Sequence, residues 1–300
     1  MIKTYDDLVE RVRSEGSKKQ VIVVGAADLH TLEGINNAYS QGVIDATLVG
    51  DKGKILEIIA AEGFQLEGVD IIDEPDNVRA AKKSVELIRE GKGDILMKGN
   101  LQTADLMREV VDKTTGLKRD GILSHVGLFQ IPTYHKLLVI TDGGMVIAPD
   151  LDQKKQIIEN AVRVMTNLGI EKPKVAALCA VEVENPKMQA TVDAARLKSW
   201  NEEGEIAGCV VEGPISFDLM FDKESAKTKG YESPVAGDAD ICLVPDMTAG
   251  NLMAKAISFA GGGMMAGIIA GVSVPIVLVS RGASSEEKYY SLVFAAAVAD

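Results

Sequence analysis

Cysteine is scarce in this sequence, which contains three in 300 residues. Cys179, Cys209 and Cys242 are odd in number, widely spaced and embedded in apolar runs. Disulfide frameworks and zinc sites use paired or closely spaced cysteines instead. The three therefore predict reduced residues in the core of a cytoplasmic protein, with neither a disulfide framework nor a zinc site.

Basic residues are in deficit as well. The chain has 32 lysines and arginines against 44 aspartates and glutamates, which gives a net charge of −12 at pH 7. This charge excludes broad binding to nucleic acids or anionic membranes, because like charges repel. An anionic substrate would need a local basic pocket. The N-terminal stretch MIKTYDDLVERV has the pattern of an amphipathic helix and not that of a signal peptide.

A long uncharged segment, Ala256–Val279, has the length to span a bilayer. Its glycines and Pro275 divide it into a helix end, a glycine-rich connection and a strand, so we expect no transmembrane helix. The segment contains Gly261-x-Gly263-x-x-Ala266, which formally matches the dinucleotide-binding fingerprint. That fingerprint must follow a strand and open a helix, whereas here it follows a helical pattern. A GxxxxGK[ST] phosphate loop is absent from the sequence.

Histidine is rare too, and the three histidines lack partners at the spacings that metal sites use. His30, His125 and His135 are therefore predicted to have structural roles. Ser124 precedes His125 directly, but neighbouring residues of a strand point to opposite faces. The two do not form a nucleophile and base pair by themselves.

Two carboxylates, Asp218 and Asp222, are four residues apart after Gly213-Pro214. On a helix they would share one face, as two ligands of a divalent metal would. The same spacing fits a helix cap at Asp218 and a solvent-facing side chain at Asp222. The sequence leaves both interpretations open.

Strand-like and helix-like runs alternate along most of the chain. Apolar runs rich in β-branched residues, such as Val21–Val24, end in turns, and helical patterns such as Thr31–Gln41 follow. This repeated βα order predicts an α/β fold with a parallel sheet covered by helices. Further strands are predicted at residues 46–49, 69–72, 94–97, 175–179, 207–211 and 241–244. Further helices are predicted at residues 55–61, 75–89, 103–111, 153–168, 186–201 and 251–259.

The alternation changes at Ser124–Phe129 and Lys136–Thr141, two strand-like runs joined by a short loop with Pro132. A short connection favours antiparallel pairing, and we take this point as the entry into a second domain. The final strand, Pro275–Val279, and the helix after it resemble the first half and are expected to return to the first domain. The predicted domains are residues 1–121 with 268–300 and residues 122–267.

The stretch Pro275–Tyr290 carries the most distinctive candidate site. Ser280-Arg281-Gly282 follows the final strand and precedes a helix that Ser284 opens. Ligands of open α/β sheets bind at such turns, and a helix N-terminus favours an anion. The guanidinium of Arg281 offers a fork of donors that fits phosphate. The stretch is therefore a candidate anion site, and an ordinary surface arginine at Arg281 is the alternative that the sequence leaves open.

Ser284 and Glu287 also fit a capping box, Ser-x-x-Glu, which requires no chemistry from the carboxylate. This alternative stays open. Lys98, Asp142 and Asp246 each follow the end of a strand, where loops carry function. Turn formation explains any one of them equally well, but a collection at one sheet edge favours a site.

The whole chain resembles the phosphate acetyl/butyryl transferase family, and most of all its butyryl-transferring branch. The resemblance rests on motifs that follow one another in order. They are Lys98-Gly-Asn-Leu-Gln-Thr103, Ser124-His-Val126, Thr141-Asp-Gly-Gly-Met145, Gly213-Pro-Ile-Ser-Phe-Asp218, Pro245-Asp246 followed by Asn251, and Ser280-Arg-Gly282.

The resemblance implies reversible transfer of a short acyl group, butyryl in the first place, between coenzyme A and inorganic phosphate. It implies the two-domain fold of isocitrate and isopropylmalate dehydrogenases, with the active site in the interdomain cleft. Coenzyme A would be a substrate, and no cofactor would be bound permanently. The family implies a homodimer or a larger homo-oligomer.

The resemblance also implies roles for individual residues. Ser280 matches the serine that bonds the sulfur of coenzyme A, and Arg281 matches the arginine at the phosphoryl or carbonyl oxygens. Arg108 looks like a second phosphate-site arginine. Glu287 stands where acetyl-transferring members have an aspartate as base, so the carboxylate is kept but lengthened. The remaining predicted substrate-binding residues are Lys98, Ser124, Asp142, Asp246 and Asn251, and no metal ligand is predicted.

Two other functions compete with acyl transfer. The first is an NAD- and Mg-dependent decarboxylating dehydrogenase on the same fold, which would use Asp218 and Asp222 and would show magnesium- and NAD-dependent activity. The second is a non-catalytic acyl-CoA or phosphate-metabolite binding protein, which would bind coenzyme A without turnover.

Overall fold

The computed structural model describes residues 2–279 and 282–299. Its strands are β1 (Lys19–Val24), β2 (Ile44–Gly50), β3 (Asp70–Asp73), β4 (Ile95–Lys98), β5 (Ser124–Gln130), β6 (Leu138–Thr141), β7 (Lys174–Leu178), β8 (Val210–Ile215), β9 (Ile241–Leu243), β10 (Met264–Ala270) and β11 (Ile276–Val277).

The helices alternate with these strands over most of the chain. They are α1 (Tyr5–Ser14), α2 (Leu29–Ser40), α3 (Lys52–Glu62), α4 (Asn77–Arg89), α5 (Thr103–Val110), α6 (Leu151–Asn167), α7 (Gln189–Glu202), α8 (Phe217–Phe221), α9 (Lys223–Thr228), α10 (Met247–Phe259) and α11 (Ser285–Val298). The predicted α/β class is confirmed.

The chain divides into two compact units. The terminal unit consists of residues 5–120 and 265–300, and the central unit consists of residues 121–264 with the first four residues. In the terminal unit the strands follow the order β3-β2-β1-β4-β11-β10. Neighbouring strands are parallel except for β11 and β10. Helix α11 packs against α2 and α1, and the Tyr5 and Tyr290 rings stack with centroids 4.5 Å apart.

In the central unit the strands follow the order β5-β6-β9-β7-β8. Strands β5 and β6 pair antiparallel, as the short connection between them predicts. The remaining neighbours are parallel. The inner strands β6 and β9 are buried along their whole length, which matches the continuous apolar runs expected when helices cover both faces of a sheet.

The glycine-rich connection predicted after α10 is wrong in part, because residues 264–270 form β10. Glycine and alanine are weak strand formers and make up three of the seven residues of β10, so the local sequence gives little sign of this strand. Its middle residues are buried, and it pairs antiparallel with β11. The predicted final strand at 275–279 is shortened to β11, which pairs parallel with β4 and antiparallel with β10.

Strand β8 begins at Val210, three residues later than predicted. Ala207 and Gly208 lie outside the sheet and are exposed. Gly208 has a φ of +75°, a left-handed conformation that does not continue into a strand. The predicted strand at 207–211 is therefore displaced towards the C-terminus.

The three cysteines are free and buried, so the prediction of reduced core residues is confirmed. Burial raises the pKa of Cys179 and Cys209 to about 11 and that of Cys242 to about 12. At neutral pH all three are protonated thiols, which are poor nucleophiles. In the part of the chain that the structure describes, no helix has the length and apolar character needed to cross a membrane.

Candidate active site

In the central unit, three loops meet at one edge of the sheet. Strands β6 and β9 run parallel, so their carboxyl ends lie side by side. Because β5 runs antiparallel to β6, the first residues of β5 lie at the same edge. The Thr141 hydroxyl donates to the His125 carbonyl at 2.8 Å, and Val244 N–H donates to the Thr141 carbonyl at 2.8 Å. This edge therefore brings together Ser124, Asp142, Asp246 and Asn251.

Asp142 is buried and shapes the loop after β6. Its carboxylate accepts hydrogen bonds from the N–H groups of Gly144 and Met145 at 2.8 Å and of Val146 at 3.2 Å. These three hydrogen bonds fix the path of the loop. The turn interpretation left open by the sequence thus holds for Asp142, and it keeps the loop in place beside α10.

Helix α10 packs closely against the loop after β6. Asp246 caps the helix by accepting from Ala249 N–H at 2.9 Å, and Asn251 Nδ2 donates to the Gly143 carbonyl at 3.5 Å. A Cβ atom on Gly250 would lie 2.8 Å from Gly143 Cα, so only glycine permits this approach. The start of α10 and the Asp142 loop therefore behave as one rigid piece.

Ser124 and His125 take different directions, as expected for neighbours in a strand. Ser124 is fully buried, and its hydroxyl accepts from Asn160 Nδ2 on α6 at 3.0 Å. The side chain of His125 packs against Gly144, where a Cβ atom would lie 3.4 Å from it. Burial lowers the pKa of His125, and the nearby charge of Asp142 opposes this only in part.

His125 is the residue at this edge to which the sequence assigned only a structural role. The antiparallel pairing of β5 with β6 is the feature that could have identified His125, because it places the first residues of β5 beside the Asp142 loop. The imidazole is held neutral at pH 7 by its surroundings. A neutral imidazole can accept one hydrogen bond and donate another.

A groove of about 850 Å³ opens beside Asp246. It is walled by residues 148–151, by the start of α6 and by one side of α7. Within it Lys154 Nζ pairs with Asp193 Oδ2 at 2.6 Å. Its charged lining residues are Asp150, Glu184, Asp193 and Asp246 against Lys154 and Arg196. Negative charge is in excess, so this groove offers no attraction to the phosphates of a nucleotide.

In the terminal unit, Lys98 ends β4 and is buried. Its ammonium donates to the Gly99 carbonyl at 3.2 Å. A Cβ atom on Gly99 would lie 2.4 Å from the Gly25 carbonyl oxygen, so the loops after β4 and β1 touch through glycine. Because β11 pairs parallel with β4, the carboxyl ends of β1, β4 and β11 lie along one edge.

The start of α11 lies at the same edge. Ser284 caps this helix by accepting from Glu287 N–H at 3.1 Å, which is one half of the predicted capping box. The Glu287 side chain is half-buried. Burial of Tyr5 is the main cause that raises the pKa of its phenol, and the charge of Glu287 raises this pKa further. The predicted catalytic residues Ser280 and Arg281 lie outside the described residues.

A buried lysine ties α11 to α2, and sequence reasoning missed it. Lys288 Nζ donates to Asp28 Oδ2 at 3.2 Å and lies 3.4 Å from the Thr31 hydroxyl. Burial alone would raise the pKa of Asp28, but the Thr31 hydrogen bond and the charge of Lys288 outweigh burial and lower it. Asp28 also caps α2, so the starts of α2 and α11 are held together.

Arg108 lies in the last turn of α5, and its side chain is exposed at the surface. Its guanidinium lies 3.5 Å from the Asp105 carboxylate, one turn earlier on the helix. An exposed ion pair of this kind contributes little to stability. The guanidinium therefore remains accessible to an anion.

Asp218 lies on the short helix α8, and Asp222 lies between α8 and α9 as the N-cap of α9. Asp218 pairs with Lys229 at 2.9 Å, and Asp222 caps α9 by accepting from Ser225 N–H at 2.8 Å. These contacts favour the structural interpretation over a shared metal site. Among residues 2–279 and 282–299, no group of three histidine, cysteine, aspartate or glutamate side chains is placed to hold a metal ion.

Comparison with known proteins defines the class of this site. A family model described as Phosphate acetyl/butaryl transferase matches residues 74–296. The chain is similar to the phosphate butyryltransferase of Clostridium acetobutylicum, with 41% identity over 299 residues that cover 100% of this chain and 99% of the relative. It is similar to the phosphate acetyltransferase of Thermotoga maritima, with 40% identity over 294 residues that cover 98% and 99%.

The fold gives the same result. The structure is similar to that of a branched-chain phosphotransacylase from Enterococcus faecalis, with a TM-score of 0.84 and 32% identity over 93% of this chain and 99% of that one. These likenesses define an α/β phosphate acyltransferase. The chain belongs to the phosphate acetyl/butyryl transferase family, and the resemblance inferred from its motifs is confirmed.

Proposed function

We propose that this chain transfers a short acyl group reversibly between coenzyme A and inorganic phosphate, and that butyryl is the preferred group. The full-length likeness to a phosphate butyryltransferase carries the proposal. Acetyl is the second choice, because a phosphate acetyltransferase is almost equally similar. Coenzyme A is then a substrate, and no cofactor stays bound between turnovers.

The reaction needs an activated thiol. An unperturbed thiol has a pKa of about 8.5 and reacts as the thiolate. A carboxylate takes the thiol proton, and the sulfur attacks the carbonyl carbon of the acyl phosphate. The new C–S bond forms, the C–O bond to phosphate breaks, and phosphate leaves. In reverse, a phosphate oxygen attacks the thioester carbonyl and the thiolate leaves.

Direct transfer between the two bound substrates is the route we propose. An acyl-enzyme would require a nucleophile on the protein. The three cysteines are buried, and each has a raised pKa. None of them lies in a motif that matches the family. These observations support a ternary complex in which thiolate and acyl phosphate react without a protein intermediate.

Glu287 is proposed as the base, Arg281 as the donor that stabilises charge on the reacting oxygens, and Ser280 as the partner of the sulfur. A charged donor directed at a developing oxyanion contributes more in a dry site than in water. The position of Glu287 at the start of α11, on the edge that carries Lys98, supports its part in this assignment.

Substrate binding is proposed for two groups of residues. Lys98 and Arg108 supply positive charge in the terminal unit. Asp142, Asp246 and Asn251 shape the polar edge of the central unit. Ser124 belongs to the same edge, and because its hydroxyl is enclosed with Asn160 we propose that it acts by positioning β5.

We further propose that the two units are domains of the isocitrate and isopropylmalate dehydrogenase type, with the reaction in the cleft between domains. The boundaries predicted from the sequence, at residues 121/122 and 267/268, stay predictions. A cytoplasmic location and a homo-oligomeric state are proposed on the same family grounds.

The test is release of the coenzyme A thiol from butyryl-CoA, followed with a colorimetric thiol reagent with and without inorganic phosphate. We expect phosphate-dependent release, and faster release from butyryl-CoA than from acetyl-CoA. Because the cysteines are buried, the folded protein should contribute little background colour. Chelation with EDTA should leave the rate unchanged.

Each alternative has its own outcome in this experiment. Release without phosphate would indicate a hydrolase. Binding of coenzyme A without release would favour the acyl-CoA binding protein. Activity that requires NAD and magnesium would favour the decarboxylating dehydrogenase, and an EDTA inhibition reversed by magnesium would revive the metal hypothesis.

A further inference from the structure

Lys288 is a buried lysine at the start of helix α11, directly after the proposed base Glu287. Its side chain is 5% exposed. Burial of an ammonium group costs free energy unless a partner compensates for it, and a positive charge near a helix N-terminus is disfavoured by the helix dipole. The stability of α11 by itself therefore does not account for a lysine at this position, and the reason lies in what the ammonium contacts outside the helix.

The ammonium of Lys288 reaches the start of α2. Its Nζ atom lies 3.2 Å from Asp28 Oδ2 and 3.4 Å from the Thr31 hydroxyl. The same carboxylate caps α2 by accepting from Thr31 N–H at 2.9 Å. Asp28 thus caps one helix and binds the other. Because a buried ion pair often adds little net stability, its main effect can be on where the two helices lie.

The backbones of α2 and α11 approach closely at the same place. A Cβ atom on Gly34 of α2 would lie 3.0 Å from Lys288 Cβ and 3.4 Å from the Ser285 carbonyl oxygen. The first turn of α11 therefore packs directly on α2, with Lys288 at the contact. A small change in this contact would move the whole first turn, including Glu287.

The loop that leads into α2 also contacts the loop after β4, which begins at Lys98. Asn100 N–H donates to the Gly25 carbonyl at 2.7 Å, and a Cβ atom on Gly25 would lie 3.2 Å from the Asn100 carbonyl carbon. Contacts thus run without interruption from the Lys98 loop to the loop after β1, then to Asp28 and to the start of α11.

We propose that the Asp28–Lys288 pair positions Glu287 for its role as base. This inference rests on the proposed function. A base must lie within about 3 Å of the proton that it takes, and a displacement of about 1 Å can lower a rate about a hundredfold. The pair fixes the first turn of α11 against the edge that carries Lys98. Lys288 acts through Glu287 and is a positioning residue.

The test is the steady-state rate of butyryl-CoA formation from butyryl phosphate and coenzyme A. Lys288→Met removes the charge and keeps the apolar stem of the side chain, while Asp28 can still cap α2 through Thr31. We expect kcat to fall about tenfold or more, because the base is misplaced. The KM for coenzyme A should stay within about twofold of the wild-type value. Circular dichroism at the assay temperature verifies that the variant is folded.

The matched control is Tyr289→Phe, at the next residue of α11. Its hydroxyl lies 2.8 Å from Gln41 Oε1, so this bond also joins α11 to α2, but at the C-terminal end of α2. The variant should keep the wild-type kcat. Asp28→Asn covers the case in which Lys288→Met fails to fold, because asparagine caps a helix as well as aspartate does. Its kcat should fall as in Lys288→Met.

A double variant distinguishes positioning from a general structural effect. If Lys288 acts through the Glu287 carboxylate, Lys288→Met should lower the kcat of Glu287→Gln no further, because the group that it positions is already absent. A merely structural role would lower kcat by the same factor with and without this carboxylate.

The outcomes separate this inference from the proposed function. A wild-type kcat in folded Lys288→Met, a change in KM alone, an equal loss in Tyr289→Phe, or a full further loss in the Glu287→Gln background would overturn the inference and leave acyl transfer intact. A wild-type protein that forms no butyryl-CoA would reject the proposed function, and this inference with it.

Discussion

Ser284 and Glu287, at the start of α11, take part in a helix cap, and Glu287 is also the proposed catalytic base. Ser284 accepts from Glu287 N–H at 3.1 Å, so the backbone of Glu287 serves the cap. The role proposed for Glu287 as base belongs to its carboxylate. The two functions therefore belong to different atoms, and substitutions can separate them.

Glu287→Gln should keep binding of coenzyme A and lower kcat by about a hundredfold or more, as expected for removal of a general base. Ser284→Ala should instead cost about 1 kcal/mol of stability, the usual effect of a lost N-cap. Thermal unfolding and steady-state kinetics on both variants measure the two effects. If Glu287→Gln lowers only Tm and turns over normally, the capping interpretation of this residue is right.

His125 should make the stability of the protein depend on pH. Its folded pKa is lowered by burial, so the unfolded chain binds more protons below the usual histidine pKa of about 6.5. The free energy of unfolding should therefore fall as the pH drops below about 6.5, by about 1.4 kcal/mol for each unit of pKa lowering.

His125→Asn should flatten this part of the profile, measured as Tm against pH. His30→Asn is the control, because the His30 side chain is exposed on α2. An equal slope in the wild type and in His125→Asn would show that the His125 ring does not carry this effect.

Residues that act through distant contacts could not be predicted from the sequence. Lys288 and Asp28 are 260 positions apart, and no local pattern relates them. The proximity of His125 to Asp142 depends on the pairing of β5 with β6. By contrast, Lys98, Asp142 and Asp246 could be selected in advance, because each follows an apolar run that ends in a polar turn.

Among the structural elements, α10 is the helix that contacts the loop of the proposed site most closely. Its first turn is seated on the Asp142 loop through Gly250, and its outer side is exposed. This close contact requires glycine at residue 250, since a Cβ atom there would also lie 2.8 Å from Val244 Cγ2.

Gly250→Ala should push α10 away from the Asp142 loop. We expect a loss of about 1–3 kcal/mol of stability, as for other overpacked sites, and a fall of kcat/KM by about tenfold or more because Asn251 and Asp246 move. Ala254→Gly on the same helix is the control, since it costs about 1 kcal/mol through helix propensity alone and should keep the wild-type kcat/KM. Equal kinetics in the two variants would contradict a positioning role for Gly250.

Elements with strong periodicity were predictable, and weak ones were not. Strands such as β1 and β4 are short apolar runs with clear turns behind them, and α6 begins at a full capping box of Asp150 and Gln153. Strand β10 was not predicted because its glycine and alanine residues, and the glycines before it, are typical of a connection; pairing with β11 makes it a strand. Strand β8 was misplaced because apolar residues precede the glycine at which the strand conformation is interrupted.

For the whole molecule, family membership was predictable because six motifs follow one another in order between Lys98 and Gly282. The division into two domains, with the C-terminal segment returned to the first, was inferred from the change in alternation at residues 124–141 and stays a prediction.

Every role proposed for these residues depends on the transfer of acyl groups between coenzyme A and phosphate. The most direct measurement incubates the protein with butyryl-CoA and phosphate, traps acyl phosphate as its hydroxamate, and quantifies coenzyme A released in the same samples. We expect equal amounts of the two products, both dependent on phosphate. Release of coenzyme A with free butyrate and without acyl phosphate would contradict it.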